Sequence, residues 1–263
     1  GNADRSQNKR DHVKAPGEYA KIMLPELTFP YLIPGQEVLL DDGKIHLKIV
    51  EKAENVTENG GENTQEKRYF AKVLWGGLLK SRKSAALPGA KIYPPTLTNS
   101  DLANIKIAKE MGVTGVMQPF VRDHGDLECV KEALREAGAE DIRLFAKIEN
   151  MDGVRKLEEL LPAADEIVIA RGDLGNSVHL WDLPGVQRQI SEKCRAAGKP
   201  FMVVTQMLAS MERSPVPTRA EVNDIFHAVM DGAASIMVTG ETAVGDYPVE
   251  VIRYMVNTVR SAE

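Results

Sequence analysis

From about residue 88 onward the chain repeats one unit, in which a helical pattern ends at a glycine and a short apolar strand follows. The stop positions are Gly112, Gly138, Gly198 and Gly232. Glycine just past the last helical turn is the usual stop signal. The apolar strands of this region, including Ile167-Val168-Ile169-Ala170, which no glycine stop precedes, show no apolar-polar alternation, which indicates burial on both faces. The repeat therefore predicts an α/β fold built on a parallel sheet.

Five strands of this kind are predicted. They run from Val113 to Phe120, Ile142 to Ile148, Glu166 to Ala170, Phe201 to Val204 and Ser235 to Val238. An open doubly wound sheet also accounts for these periodicities, but polar residues at the carboxyl end of every strand favour a barrel. A closed (β/α)8 barrel needs eight strands. We therefore predict a TIM-type (β/α)8 barrel that is incomplete at its N-terminal side.

The chain before the repeat has a different pattern. Two short strands, Glu37 to Leu40 and Lys44 to Val50, flank Asp41-Asp42-Gly43 and predict a hairpin. Phe70 to Trp75 predicts another strand, and the polar stretch from Glu51 to Lys67 predicts a loop. We expect a small β-rich domain over residues 1–87, with a barrel remnant at its start, and a barrel portion of about five parallel β/α units over 88–263.

Composition excludes some classes of partner. The net charge is −5 and no long basic run is present, which argues against binding to nucleic acid. No segment approaches twenty apolar residues and Gly1 to Lys14 is polar, so we expect no membrane partner and a cytoplasmic location. Cys129 and Cys194 fall within helical patterns without CxxC spacing, and we interpret both as reduced thiols.

Polar side chains that can carry chemistry appear where two of the buried strands end. Lys147 and Glu149 are two residues apart, so they point to the same face of their strand. Glu149 and Asp173 are 24 residues apart, enough for one strand, a helix and the next strand, which places them on neighbouring strands. Two carboxylates and a lysine at one barrel mouth suit a divalent cation that holds an anionic substrate.

Six motifs occur in one order along the chain. They are Lys147-Ile148-Glu149-Asn150, Ala170-Arg171-Gly172-Asp173-Leu174-Gly175, Ala197-Gly198-Lys199-Pro200, Thr205-Gln206-Met207-Leu208, Pro217-Thr218-Arg219-Ala220-Glu221 and Gly240-Glu241-Thr242-Ala243. In this order they closely resemble the pyruvate kinase family, from Phe70 to the carboxyl terminus and more weakly through Glu37 to Val50. The resemblance implies that the front domain is the family's lid and that the five strands are barrel strands four to eight. It also implies phosphoryl transfer from phosphoenolpyruvate to ADP, giving pyruvate and ATP.

The resemblance implies roles for individual residues. Glu149 and Asp173 would bind Mg²⁺ or Mn²⁺, and Lys147 would offset charge on the phosphoryl group in transfer and on the enolate. The backbone N–H groups of Gly172 and Asp173 would hold the substrate carboxylate. Thr205 would lie beside the carbon that gains a proton.

Further roles implied by the resemblance concern the nucleotide, the monovalent ion and assembly. Lys83 corresponds to a basic group directed towards the nucleotide. Thr239, Gly240 and Glu241 correspond to the last barrel loop near the K⁺ site. A homo-oligomer could form through Pro215 to Arg219, although a surface loop explains that segment equally well.

The chain also departs from the family pattern. Pro119 replaces a serine that helps to coordinate K⁺, and Tyr93-Pro94-Pro95 replaces a segment with an aspartate near the nucleotide. No convincing match is found for the early arginine that grips the transferred phosphate or for the early K⁺ ligands. Asp11 to Glu18 resembles the third barrel strand only weakly.

Three hypotheses follow. The chain could be a portion of a working pyruvate kinase, or a pyruvate kinase-like binding or regulatory module with lost or weakened catalysis. It could also be a metal-dependent lyase or aldolase that acts through a pyruvate enolate. The lid and Lys83 favour nucleotide use over the third hypothesis, whereas the missing arginine and Pro119 favour the second over the first.

Overall fold

The computed structural model describes residues 20–41, 43–53, 67–81, 83–90 and 92–263, and these residues contain two separate sheets. Four strands form an antiparallel sheet in the order β3-β2-β1-β4: β1 (Glu37–Leu40), β2 (Ile45–Lys52), β3 (Tyr69–Trp75) and β4 (Ala85–Ala86). Five strands form a parallel sheet in sequence order: β5 (Gly115–Gln118), β6 (Arg143–Ile148), β7 (Glu166–Ala170), β8 (Phe201–Val204) and β9 (Ser235–Met237). The segment Asp11 to Glu18 and most of the loop expected between Glu51 and Lys67 lie outside the described residues.

Helices connect and flank the strands of the parallel sheet. They are α1 (Asn99–Ala108), α2 (His124–Glu136), α3 (Met151–Arg155), α4 (Leu157–Leu160), α5 (Arg171–Leu174), α6 (Leu183–Ala196), α7 (Arg219–Met230), α8 (Gly240–Ala243) and α9 (Pro248–Ala262). Two short 3₁₀ helices span Glu26–Tyr31 and Ala209–Glu212. The predicted capping box at α7 is confirmed, because the side chains of Thr218 and Glu221 each accept a backbone N–H of the other.

The predicted hairpin in the front domain is confirmed. Leu40 pairs with Ile45 across the turn, and Asp41 and Gly43 take the left-handed backbone with φ of 50° and 82°. The apolar side chains of β1 and β2 form a small core of their own. Strand β4 was not predicted, because two alanines are too short to show a pattern.

The glycine stop signals are confirmed. Gly112, Gly138, Gly198 and Gly232 all have positive φ, between 62° and 90°, the region that side chains with a Cβ rarely adopt. Helix α1 ends at Ala108, a turn earlier than expected, and the chain reaches Gly112 through a turn closed by a bond from Gly112 N–H to the Lys109 carbonyl.

The parallel sheet has two faces with different neighbours. Leu144, Ala146 and Ile148 of β6 are fully or nearly fully buried in the large core that the helices share. The alternate residues of β6, Phe145 and Lys147, face the other way, and Phe145 packs in a second, smaller apolar cluster with residues of β7, β8 and β9. This second face is the one that would line the interior of a barrel.

The sheet is not closed. Among the residues that the structure describes, β5 pairs only with β6 and β9 pairs only with β8. The architecture is therefore an incomplete TIM-type barrel with a small antiparallel β-sheet, as the sequence predicts. Within the same described ranges, each helix is too short or too polar to cross a membrane.

We expect the central strand β7 to dominate stability. Replacing Ile169, which is 0 % exposed, by alanine should lower the free energy of unfolding in urea by about 2–5 kcal/mol, because it leaves a cavity in the helix-facing core. Ile107 on α1 is 50 % exposed, so Ile107→Ala is the matched control and should change it by less than about 0.5 kcal/mol. Equal losses in the two variants would contradict this placement of the core.

Candidate active site

A buried ion pair lies at the carboxyl end of β6. Lys147 Nζ is 2.7 Å from Glu149 Oε1, and the Glu149 side chain is only 1 % exposed while that of Lys147 is 24 % exposed. The other carboxylate oxygen of Glu149 accepts the backbone N–H of Phe120 at 2.7 Å. Both oxygens of the carboxylate are therefore compensated by donors, which a buried charge requires.

The backbone N–H that Glu149 accepts belongs to a strained turn just after β5. Phe120 has φ of 52°, a left-handed conformation that is an outlier for a bulky residue and costs about 1–3 kcal/mol. The turn ends β5 before the predicted Phe120 and directs this N–H at Glu149. Sequence reasoning missed Phe120, since nothing in its residue type signals a positive φ.

Gly172 and Asp173 lie in α5, a single helical turn that directly follows β7. Because β7 pairs with β6, Asp173 and Glu149 rise from the ends of adjacent strands. The Gly172 N–H, predicted to hold a substrate carboxylate, donates to Thr205 Oγ1 at 2.8 Å. The structure thus brings two of the predicted substrate-binding residues into direct contact.

Thr205 follows β8 and has an unusual backbone. Its φ is 73° and that of Gln206 is 54°, so two consecutive non-glycine residues are left-handed. The Thr205 hydroxyl donates to the Val204 carbonyl at 2.6 Å while accepting from Gly172. The Thr205 carbonyl accepts from the Arg171 guanidinium at 2.7 Å.

Carboxylates from two later elements hold the loop that continues from Thr205. Buried Glu241 of α8 accepts the backbone N–H of Leu208 at 3.2 Å and that of Thr239 at 2.8 Å. Glu221 of α7 accepts the Ser210 N–H at 2.7 Å. Burial by itself raises the pKa of Glu221, but the hydrogen bonds from Ser210 and Thr218 outweigh it and lower the pKa. Glu241, expected near a K⁺ site, is therefore engaged by backbone N–H groups.

Lys83 lies beside β4 of the antiparallel sheet. Its Nζ is 2.8 Å from Asp41 Oδ1, and this hydrogen bond is the largest cause of a lowered pKa at Asp41. Asp41 therefore belongs to the hairpin turn and also pairs with Lys83. The nucleotide role of Lys83 stays a prediction.

One residue of the segment Tyr93-Pro94-Pro95, Tyr93, lines a cavity of about 430 Å³. The other lining residues are Arg122, Asp123, Asp152 and Lys156. Tyr93 lies under the Arg122 guanidinium, 5.4 Å from ring centroid to Cζ, and its hydroxyl donates to Asp152 at 3.3 Å. Tyr93 thus packs against Arg122 within the segment where the resemblance implies an aspartate.

The charged group behind this cavity is Asp126, which is 5 % exposed. Arg122 donates to its two oxygens through Nε at 2.9 Å and Nη2 at 2.6 Å, and Thr96 donates at 2.5 Å. Burial alone raises the pKa of Asp126, yet these hydrogen bonds outweigh it and lower the pKa from 3.8 to about 2.

The donor set at the strand ends suits a hard cation. Glu149 and Asp173 offer carboxylate oxygens, the ligands that Mg²⁺ and Mn²⁺ prefer. In the part of the chain that the structure describes, no group of three or more histidine, cysteine, aspartate and glutamate side chains is arranged to hold a metal. A cation held by these two residues would take its remaining ligands from substrate and water, as Mg²⁺ commonly does with phosphates.

The two cysteines take no part in this region. Cys129 on α2 is exposed and Cys194 on α6 is buried, and both are free thiols, which confirms the prediction. Burial raises the pKa of Cys194 to about 12, so its reactive thiolate form is suppressed.

The fold and these residues define a class: an incomplete TIM-type barrel with a separate β-sheet and a charged cluster at the carboxyl ends of its strands. Residues 9–252 match the family model described as "Pyruvate kinase, barrel domain". The chain belongs to the pyruvate kinase family.

Curated relatives agree with this assignment. The chain is 40 % identical over 233 residues to the pyruvate kinase of Geobacillus stearothermophilus, covering 87 % of this chain and 38 % of that protein. It is 38 % identical over 229 residues to the enzyme of Bacillus licheniformis, covering 87 % and 37 %, and 36 % identical over 232 residues to that of Candida albicans, covering 88 % and 44 %. The chain thus spans less than half the length of these relatives.

The lowered pKa of Asp126 predicts a pH dependence of stability. The carboxylate stabilises the fold fully above its unfolded pKa of 3.8, and this stability of about 2 kcal/mol should be lost as the pH falls towards about 2. Urea unfolding between pH 5 and pH 2 measures it. Asp126→Asn should flatten the curve in this window, whereas Asp141→Asn, at an exposed ion pair, should leave it nearly unchanged. A wild-type slope that persists in Asp126→Asn would contradict the assignment.

Proposed function

We propose that this protein transfers a phosphoryl group from phosphoenolpyruvate to ADP, giving pyruvate and ATP. The observation that carries the proposal is the Lys147–Glu149 pair, buried at the end of β6 next to the strand that leads to Asp173. In a transfer of this kind the protein acts mainly by positioning and by neutralising charge, and charged groups at one strand edge are suited to both.

Glu149 and Asp173 would hold Mg²⁺ or Mn²⁺. The bound cation would supply positive charge to the carboxylate, enolate and phosphate oxygens of the substrate. The Lys147 ammonium and the Phe120 N–H each contact one oxygen of the Glu149 carboxylate and hold it in one position. Metal binding would require Lys147 to share or release Glu149, which leaves the ammonium group available for the substrate.

Lys147 would act on the transferring phosphoryl group and on the enolate that remains. Its side chain stands on the interior face of the sheet, opposite Val168 of β7, and is partly exposed. An ammonium group in this low-dielectric position stabilises developing negative charge more than it would in water.

Gly172, Asp173 and Thr205 would bind and protonate the rest of the substrate. The substrate carboxylate would replace the Thr205 hydroxyl as the acceptor for the Gly172 N–H. The hydroxyl, once released, would face the enolate carbon that gains a proton. The contact between Gly172 and Thr205 supports this proposal, because the two groups lie close enough to reach a single substrate.

Other parts of the proposal concern organisation and assembly. We propose that residues 1–87 form the lid and 88–263 the barrel portion, with Lys83 of the lid directed towards ADP or ATP. Monovalent-ion activation would rely on the loop at Thr239, because Pro119 has no hydroxyl. A homo-oligomer is part of the proposal on family grounds.

A second candidate is a pyruvate kinase-like binding module without turnover. Pro119, which has no hydroxyl where the resemblance implies a serine, favours it. It would keep the metal and enolate residues and bind the substrate without transferring the phosphoryl group. A lyase or aldolase is disfavoured, because the expected lid domain and Lys83 favour use of a nucleotide.

A coupled assay of pyruvate release from phosphoenolpyruvate, with and without ADP and Mg²⁺, separates these functions. We expect release that requires both additions and is lost in Glu149→Gln and Asp173→Asn. Glu158→Gln, at an exposed ion pair with Lys193, is the matched control and should retain the rate. Metal-dependent substrate binding without turnover would select the binding module, and release without ADP, which would need water as the phosphoryl acceptor, would contradict transfer to ADP.

Lys147→Met should separate rate from binding. We expect kcat to fall by about 10²–10³-fold while KM for phosphoenolpyruvate changes by less than about threefold, since the lysine charge acts most strongly in the transition state. Steady-state kinetics at saturating ADP and Mg²⁺ measure both constants. Comparable losses in kcat and in substrate affinity would contradict this role.

A further inference from the structure

Arg171 lies between the two elements that carry the substrate-binding residues. It is the first residue of α5, directly before Gly172, and its side chain is only 12 % exposed. One guanidinium nitrogen, Nη1, donates to both carboxylate oxygens of Asp224 on α7, at 2.9 and 2.7 Å. The other, Nη2, donates to the Thr205 carbonyl at 2.7 Å and to Met207 Sδ at 2.8 Å.

Arg171 contacts the strained backbone at Thr205. Thr205 and Gln206 both have positive φ, and a β-branched residue does not hold this conformation by its own preference. Conformations of this kind persist only where surrounding contacts determine them. At Thr205 two contacts come from α5: the Arg171 guanidinium holds the carbonyl and the Gly172 N–H holds the hydroxyl.

Asp224 explains why the arginine can act from a buried position. An uncompensated guanidinium in the interior would carry a large desolvation cost, and the carboxylate of α7 offsets it. Because Asp224 is 33 % exposed and Arg171 is 12 % exposed, the pair connects the surface of α7 to the end of β8. A lysine could not contact all three partners, since it has one ammonium group instead of a planar fork.

We propose that Arg171, held by Asp224, is a positioning residue that sets the Thr205 backbone and so directs its hydroxyl at the reacting carbon. The proposal rests on the proposed function, in which Thr205 protonates the pyruvate enolate. Arg171 touches no reacting atom in this scheme. Its effect passes through the Thr205 carbonyl.

The chemical test is exchange of the methyl hydrogens of pyruvate with deuterated solvent, in the presence of Mg²⁺ and K⁺. Exchange requires removal of a methyl proton to give the enolate and its return from solvent, without ADP. We expect Arg171→Met to slow exchange at least 10-fold, Asp224→Asn to slow it less, and Arg171→Lys to restore part of the rate. KM for pyruvate should change by less than about threefold in all three.

Arg143→Met is the matched control. Arg143 also pairs with a carboxylate, Glu166, at 3.2 Å, but it does so at the amino ends of the strands. Its loss should weaken the fold without slowing methyl exchange. An equal loss of exchange in Arg143→Met and Arg171→Met would overturn the proposal. It would mean that Arg171 affects exchange only by stabilising the fold.

A second measurement does not depend on activity. The Gly172 amide donates to the Thr205 hydroxyl, so its hydrogen exchange with solvent reports whether the hydroxyl is held. We expect the Gly172 amide to exchange at least 10-fold faster in Arg171→Met, with the Ile169 amide of β7 unchanged, and neither to change in Arg143→Met. Unchanged protection of Gly172 in Arg171→Met would overturn the proposal.

The two measurements also separate this proposal from the proposed function. If the wild-type protein exchanges pyruvate hydrogens and Arg171→Met does so at the same rate, the positioning role is wrong and the proposed function stands. If the wild-type protein exchanges none, the proposed function fails and the chemical part of this proposal fails with it. The hydrogen-exchange rate of the Gly172 amide then shows whether Arg171 holds the backbone at Thr205.

Discussion

The rest of the structure depends on one constraint: successive side chains of β6 face opposite sides of the sheet, and pairing with β7 fixes which side each one faces. Ala146 and Ile148 pack among the helices while Lys147 faces the interior, and pairing of Lys147 with Val168 locks this arrangement. A slip of one residue would bury the lysine among the helices and expose the apolar side chains. The large core therefore determines where the charged groups of the site can lie.

The candidate site is built from backbone conformations that cost free energy. Phe120 ends β5 and Thr205 follows β8, and both are left-handed although neither is glycine. Each strained turn presents a main-chain group to a charged partner: the Phe120 N–H to Glu149, and the Thr205 carbonyl to Arg171. Strain of this kind concentrates at functional sites because surrounding contacts must hold it there. Here the buried Glu149 carboxylate and the Arg171 guanidinium provide those contacts.

Much of this arrangement follows from local sequence patterns. The glycine stops and apolar strands predict the parallel sheet, and the spacing of two predicts that Lys147 and Glu149 share a face. The contact between Arg171 and Asp224 spans 53 residues, and no periodicity connects them. A signal for Arg171 existed, since a charged side chain between a buried strand and Gly172 needs a partner. Phe120 offered none, because a bulky residue gives no sign of a positive φ.

The central claim is that Glu149 and Asp173 share one cation beside Lys147. Anomalous diffraction from a crystal soaked with Mn²⁺ and phosphoenolpyruvate tests it most directly. The account predicts a single strong manganese peak within coordination distance of a carboxylate oxygen of each residue. A peak bound by only one of the two, or manganese found elsewhere with this position empty, would contradict it.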